Sequence, residues 1–285
     1  MDAPLFSLRD MFAAPSDTSD EEEGTHDETS SGYVEREFVE REHHLPGLTL
    51  AIREFSFHEV NANLVWPGTS VFAAWLMQNP KVLAGKRTLE IGSGTGILAI
   101  FLKKVLRDCD ITTCDYDDEQ IESNIAHNCK LNGIDPPLPH IRHTWGTKFP
   151  IERPPWEVII ASDILLYVKA YPALISTLCF LLDSTYDKSN ARDQSSPTKG
   201  GIEDRPQVED GMELRKGDKS NTGDTPQTAV TGDNADSICP KGKRCFIMSW
   251  RRRIGKKEEA LFFEGCNSAG LEHRVVGPRT YCIFR

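Results

Sequence analysis

Several absences bound what this chain can be. No apolar stretch approaches the ~20 residues that a membrane-spanning helix needs. The N-terminus Met1-Asp2-Ala3-Pro4-Leu5-Phe6 has no basic stretch followed by an apolar run, so a secretory leader is not expected either. None of the eight cysteines forms a Cys-x-x-Cys pair. Several of them, such as Cys179 and Cys282, sit in apolar runs where reduced core thiols are the ordinary state. A reducing, cytoplasmic or nuclear setting without a bound metal is therefore expected. Hydrophobic residues are scarce at 39%, which implies a folded core diluted by polar segments. Positive charge is also short: the net charge of −10 disfavours general binding to phosphate backbones and leaves room only for a local basic patch.

The polar segments can be located. Residues 1–32 read as a disordered acidic tail, because Ser16 to Glu23 is rich in Ser, Thr, Asp and Glu and nothing from Ala13 to Gly32 is strongly apolar. Leu5, Phe6, Leu8, Met11 and Phe12 could form a short partner-binding helix, but a frayed end is the simpler reading. Residues 183–242 are dominated by Asp, Ser, Thr, Gly, Lys and Asn, with Tyr186 the only aromatic. Their composition reads as a disordered insertion and not a second domain. That leaves residues 33–182 and 243–285 as one domain.

Within that domain a hairpin is expected around His44-Leu45-Pro46-Gly47, followed by a strand–helix alternation. Strands are expected at 87–91, 111–114, 141–144, 158–161, 245–250, 274–276 and 281–284. Helices are expected from Ile97, from about residue 117 to 132, from Tyr171 and from 256 to 269. This pattern predicts an α/β, Rossmann-like, seven-stranded sheet that is mostly parallel, with helices on both faces. The short Gly277-Pro278-Arg279 connection requires the last strand to be antiparallel, since parallel neighbours need a long crossover.

Glu90-Ile91-Gly92-Ser93-Gly94-Thr95-Gly96 follows the first strand and opens a helix, the context that gives a glycine-rich turn meaning. Three glycines let the backbone bend and approach a ligand closely. The spacing differs from the dinucleotide Gly-x-Gly-x-x-Gly pattern, because Ile97 occupies its third glycine position. Glu90 can accept hydrogen bonds or offset a ligand's positive charge. Asp115, at the end of the second strand and followed by Tyr116, is placed to receive the two hydroxyls of a ribose.

The glycine loop resembles motif I of class I methyltransferases. Leu64-Val65-Trp66-Pro67-Gly68, Thr144-Trp145-Gly146 and Ala161-Ser162-Asp163 narrow the resemblance to the seven-β-strand protein methyltransferases, known mainly for lysine methylation. The resemblance implies S-adenosyl-L-methionine as cofactor, contacted by Trp66, Glu90, Gly92, Ser93, Gly94, Gly96, Asp115, Tyr116, Trp145 and Ser162. It also implies a protein substrate and a side-chain nitrogen acceptor, with lysine favoured and arginine or histidine as alternatives. Flat indoles suit adenine, and aromatic rings attract a cationic sulfonium. The family pattern places an aromatic three positions after its acidic residue; here Asp163 is followed by Leu166, and the aromatic stands at Tyr167. Asp163 and Tyr167 are the candidate catalytic residues, with capping of the next helix as the alternative role for Asp163. A monomer is expected.

Two features leave choices open. Arg251-Arg252-Arg253 directly follows the fifth strand and could dock an acidic protein substrate or form a solvated loop. A small-molecule or RNA methyltransferase, or an inactive cofactor-binding scaffold, could share the same fold. However, the Asn/Asp-Pro-Pro-Tyr/Phe signature of adenine-amine methylation is missing after Ser162.

Overall fold

The computed structural model describes residues 37–106, 108–183, 238–251 and 254–285. The acidic tail, the segment from Leu5 to Phe12, nearly all of the expected insertion, and Arg252 and Arg253 lie outside the described residues.

The described chain opens with the hairpin β1 (Phe38–Leu45) and β2 (Leu48–Phe55), paired in register from Phe38↔Phe55 to Leu45↔Leu48. The turn is Pro46-Gly47, and Gly47 takes the left-handed φ of 74° that an L side chain resists. Next come α1 (Gly68–Gln78), β3 (Arg87–Ile91), α2 (Ile97–Val105), β4 (Asp110–Asp115), α3 (Glu119–Leu131), β5 (His140–Arg142) and β6 (Val158–Ser162). The chain closes with α4 (Tyr171–Leu181), β7 (Cys245–Ser249), α5 (Lys256–Ser268), β8 (Glu272–Gly277) and β9 (Thr280–Phe284).

Strands β3 to β9 form one sheet in the order β5-β4-β3-β6-β7-β9-β8. All neighbours are parallel except β9, which runs antiparallel to both β7 and β8. The expected seven-stranded sheet and its antiparallel last strand are both present. Side chains alternate between two cores. Val158, Ile160, Cys245 and Ile247 join Phe72, Leu98 and Ile125 from α1, α2 and α3, whereas Ile159, Ala161, Phe246 and Met248 join Leu174, Leu178 and Phe262 from α4 and α5. With both faces covered, the central strands are apolar throughout instead of alternating.

Some boundaries differ from expectation. Helix α1 gave no amphipathic signal because Phe72, Ala73, Trp75 and Leu76 are buried together on several sides. Strand β5 stops at Arg142, which releases Thr144 and Trp145 into the turn beyond it. Helix α3 begins at Glu119 because Asp118 is its cap, with the carboxylate accepting from Gln120 N at 2.7 Å. Among the described residues no helix is long and apolar enough to cross a membrane.

The hairpin is fixed to the sheet domain by amides on α3. The free edge of β2 is paired by Asn124, Asn128 and Asn132, four residues apart on one helix face. Asn132 exchanges hydrogen bonds with Ala51 N and O, at 3.2 and 2.7 Å. Asn128 accepts from Arg53 N at 2.8 Å and donates to Arg53 O and Thr95 O, at 3.2 and 2.9 Å. Asn124 accepts from Arg53 Nε at 2.7 Å and donates to Arg53 O at 3.1 Å. Side-chain amides thus act as a surrogate strand and satisfy an edge that would otherwise be left open. Asn128 is fully buried and serves three backbone groups. Asn128→Ala is expected to destabilise the fold by about 2 kcal/mol, since Arg53 N and Thr95 O lose their partner in a dry site. A shift of the urea midpoint at unchanged slope would measure it.

Candidate active site

The order of the strands reverses at β3: β4 and β5 lie to one side of it and β6 and β7 to the other. In open α/β sheets a crevice forms at such a switch point, outside the carboxyl ends of the strands. Here that crevice is a pocket of about 870 Å³, including its open mouth. Its wall includes Trp66, Gly92, Gly94, Asp115, Tyr116, Trp145, Ser162, Asp163 and Tyr167. Nine of the twelve site residues expected from the sequence therefore face one cavity, although they come from five separate segments.

The glycine loop is built to keep side chains out. Gly92 has φ 64°, and a Cβ there would lie 2.7 Å from Ile164 Cγ2 and 3.7 Å from Trp145 Cζ2. Gly94 has φ 53°, and its N–H donates to Asp115 Oδ2 at 2.6 Å. Asp115 Oδ1 accepts from Tyr116 N at 2.7 Å. Burial raises the Asp115 pKa, while these two N–H groups and the charge of His58 oppose the rise. A carboxylate has about four acceptor positions, so the remaining ones are left for hydroxyl donors in the pocket.

Glu90, Ser93 and Gly96 stand behind this wall and do not line the pocket. Ser93 extends the β3–β4 pairing beyond Ile91: its N–H donates to Cys114 O at 3.1 Å and its Oγ accepts from Cys114 N at 3.0 Å. At Gly96, with φ 78°, a Cβ would press on Ile125 Cγ2 at 3.0 Å. Glu90 is buried, and its Oε2 accepts from Ala99 N in the first turn of α2 at 3.2 Å. Burial raises the Glu90 pKa well above the usual range; the Ala99 N–H opposes the rise and the charge of Asp115 adds to it. A carboxyl whose pKa is higher folded than unfolded imposes no cost below the unfolded value of about 4.3, and destabilises the fold progressively as pH rises toward the folded value. Glu90→Gln keeps an acceptor for Ala99 N–H and removes the charge. Its Tm is expected to exceed the wild type's by about 2–4 °C at neutral pH, close to 1 kcal/mol for a domain of this size, and to match it near pH 4. Thermal melts across that range test this.

Asp163 is the first residue after β6 and opens the turn that leaves it. It has φ 54°, and its N–H donates to Ser249 O at 3.0 Å, which prolongs the β6–β7 ladder by one step. Its two oxygens are each held by a backbone donor: Oδ2 by Gly68 N at 2.5 Å and Oδ1 by Arg251 N at 2.6 Å. The helix capping anticipated for Asp163 is thus directed at α1, ninety-five residues earlier, whose own N-cap Pro67 offers no side-chain acceptor. Gly68 is required for this contact, since a Cβ there would fall 2.4 Å from Asp163 Oδ1. Arg251 lies at the carboxyl edge of the sheet, as expected for a residue following a parallel β7.

Several lining residues gave no recognisable signal in the sequence. Asn61, with φ 57°, donates from Nδ2 to Tyr167 OH, and its carbonyl accepts from Trp66 Nε1 at 3.0 Å. One loop residue thereby positions two aromatic groups of the pocket lining. Asn tolerates that backbone region better than most residues, which is the one property that could have marked it. His58, absent from the sequence expectations, is buried behind the loop. Its Nε2 lies 3.1 Å from Asp118 Oδ2 and its Nδ1 accepts from Val60 N at 3.2 Å, which clips the loop to the start of α3. His143 also lines the pocket, and burial lowers its pKa and so favours the neutral imidazole.

The fold and pocket define a Rossmann-like α/β protein whose ligand site lies at the sheet's switch point. Residues 44–191, more than half of the chain, match the family described as lysine methyltransferase, and the chain belongs to that family. It is 32% identical over 121 residues to the histone-arginine methyltransferase METTL23 of Xenopus laevis, covering 42% of this chain and 51% of the relative. It is 28% identical over 120 residues to EEF1A lysine methyltransferase 3 of Xenopus tropicalis, covering 41% and 51%. The chain thus spans about half the length of the curated relatives it matches. Among solved structures it is similar to the magnesium protoporphyrin IX methyltransferase of Synechocystis PCC 6803, at 12% identity and a TM-score of 0.43 over 76% of this chain and 78% of that one.

Proposed function

We propose that this protein transfers a methyl group from S-adenosyl-L-methionine to a side-chain nitrogen of a protein substrate. The observation that carries this reading is the composition of one pocket, whose lining brings Asp115 and the loop glycines Gly92 and Gly94 together with Asp163, Tyr167, Trp66 and Trp145. Trp66, Gly92, Gly94, Asp115, Tyr116, Trp145 and Ser162 would hold the cofactor. Glu90, Ser93 and Gly96 would act one layer back by shaping the loop. The cofactor supplies an already activated methyl group on a sulfonium.

The task left to the protein is alignment, worth several kcal/mol when a nucleophile is held in line with the bond it attacks. Asn61, Asp163 and Tyr167 would hold the acceptor. Loss of the acceptor's proton is assisted by the apolar wall of Ile164, Leu166 and Ala170, because burial lowers an amine's pKa. Lysine is favoured as acceptor, in keeping with the family description, although the relatives include enzymes named for arginine and for lysine. We place the protein in the cytoplasm or nucleus as a monomer.

The test incubates the purified protein, and an Asp163→Ala variant, with methyl-labelled cofactor and extract from cells lacking the enzyme. Label in a discrete protein band, absent with the variant, supports the proposal, and mass spectrometry of that band identifies the acceptor. Label confined to RNA or small molecules would establish the alternative substrate class. No label in any fraction would favour a cofactor-binding scaffold.

A further inference from the structure

The sequence reading expected reduced, separate cysteines and no metal. The structure instead gathers three of the eight in one place. Cys239, Cys245 and Cys282 are all buried, and their sulfur atoms lie within 4.8 Å of one another. Cys239 and Cys245, six residues apart, are joined as a disulfide. The convergence follows from the sheet. Cys245 opens β7, and Ile247, two residues on, shares its face. Ile247 pairs with Cys282 on β9, so Cys282 presents its sulfur to that same face. The turn through Lys241, Gly242 and Lys243 then brings Cys239 back over Cys245, with Lys243 N donating to Pro240 O at 3.1 Å.

This cluster is separate from the cofactor pocket. Cys245 sits at the amino end of β7, where its N–H donates to Glu157 O, whereas Ser249 at the other end meets Asp163. Four residues of strand, about 13 Å, separate the two.

We propose that Cys239, Cys245 and Cys282, when reduced, form a trithiolate site for one thiophilic d10 metal ion, Zn2+ or Cu+. An all-sulfur donor set excludes hard ions such as Mg2+ and Ca2+, which require oxygen ligands. With Zn–S bonds of about 2.3 Å, ligand sulfurs sit roughly 3.8 Å apart, so three sulfurs already within 4.8 Å need only small rotations to enclose an ion. Among the described residues no His, Asp, Glu or further Cys joins the group. The three-sulfur set therefore suits trigonal Cu+, or Zn2+ completed by an external ligand. Opening the site takes two electrons and two protons: a phosphine with water reduces the Cys239–Cys245 disulfide to two thiols and leaves as its oxide, or a dithiol supplies both and leaves as a cyclic disulfide. Metal entry then displaces three thiol protons.

The experiment uses the full chain, reduced with a phosphine under anaerobic conditions, loaded separately with Zn2+ or with Cu+, and dialysed against weak chelator. Bound metal is then counted by mass spectrometry. About one ion per chain is expected in the arm carrying the preferred metal. Cys239→Ala, at the turn outside the sheet, and Cys282→Ala are each expected to weaken retention at least about 100-fold, since a site that loses one of three thiolates loses its geometry. Far-ultraviolet circular dichroism and cofactor binding at the opposite sheet edge check that each variant is folded. Oxidised protein, with Cys239 and Cys245 joined, should retain neither ion. The proposal is overturned if reduced wild-type protein keeps neither metal, or if the variants or the oxidised protein keep as much as the reduced wild type. None of these readouts depends on methyl transfer.

Discussion

Asp163→Ala is expected to lower the rate of methyl transfer by about 10²–10³-fold while changing cofactor affinity no more than about threefold, because the proposed function has this residue position the acceptor and not the cofactor. Its carboxylate joins three elements: the turn after β6 that carries it, the first residue of α1 through Gly68 N, and the residues after β7 through Arg251 N. Alanine leaves both donors without their acceptor and frees the left-handed backbone at 163, where φ is 54°. The orientation of Tyr167, four residues on, depends on the same turn. A second variant separates position from contact. Gly68→Ala places a methyl group 2.4 Å from Asp163 Oδ1 and must displace the carboxylate, although Gly68 itself does not line the pocket. Gly68→Ala is expected to reproduce most of the loss in kcat with little change in the Kd for cofactor. Isothermal titration with S-adenosyl-L-homocysteine, alongside initial rates on the identified substrate, distinguishes the two parameters. Full activity in Gly68→Ala would remove Asp163 from any positioning role.

The contrast between Asp163 and Asn128 shows where the sequence was legible. Strand order, the antiparallel β9 and the glycine loop could be read because each is encoded locally: apolar runs, a short Gly277-Pro278-Arg279 connection, and glycines directly after a strand. The same local logic located Asp115 at a strand end, whereas Trp145 and Ser162 were marked only by the family resemblance. What could not be read depends on partners distant in sequence. Asn124 and Asn128 look like the solvated face of an amphipathic helix, and only the open edge of β2, more than seventy residues away, accounts for their burial. Asn61 is an ordinary polar loop residue until Trp66 and Tyr167 are placed on either side of it. Glu90 was readable as important but not in its geometry, because its buried contact with Ala99 N requires knowing how α2 leaves the loop. Helix α1 is apolar around most of its circumference and carries no periodic signal for the same reason: it is packed on several sides by elements that the local sequence does not name. The cysteines follow this rule too, since Cys245 and Cys282 meet only through the β7–β9 register.

Asp115 should give the clearest separation of binding from chemistry. Asp115→Ala is expected to raise the Kd for S-adenosyl-L-homocysteine by about 10²–10³-fold, since two ribose hydroxyls each lose a charged acceptor in a buried site at about 1–3 kcal/mol apiece; the loss of the bonds from Gly94 N and Tyr116 N costs fold stability instead. Asp115→Asn retains one acceptor oxygen but turns its amide hydrogens toward the other donor, and a loss of about tenfold or more is expected. The pH dependence has a definite sign. Burial raises the Asp115 pKa, so its protonation begins at a higher pH than for an exposed aspartate. Hydroxyl donors bind the ionised form, so cofactor affinity should fall as pH is lowered toward the ordinary carboxylate range, starting above about pH 4. That slope should flatten in Asp115→Asn, which has no proton to take up there. His58 tunes the same group, because its charge opposes the rise and its clip to Asp118 and Val60 holds the neighbouring loop. An unchanged Kd in Asp115→Ala would mean that the strand-end carboxylate serves only to brace Gly94 and Tyr116, and that the cofactor is held by the aromatic wall of Trp66 and Trp145 alone.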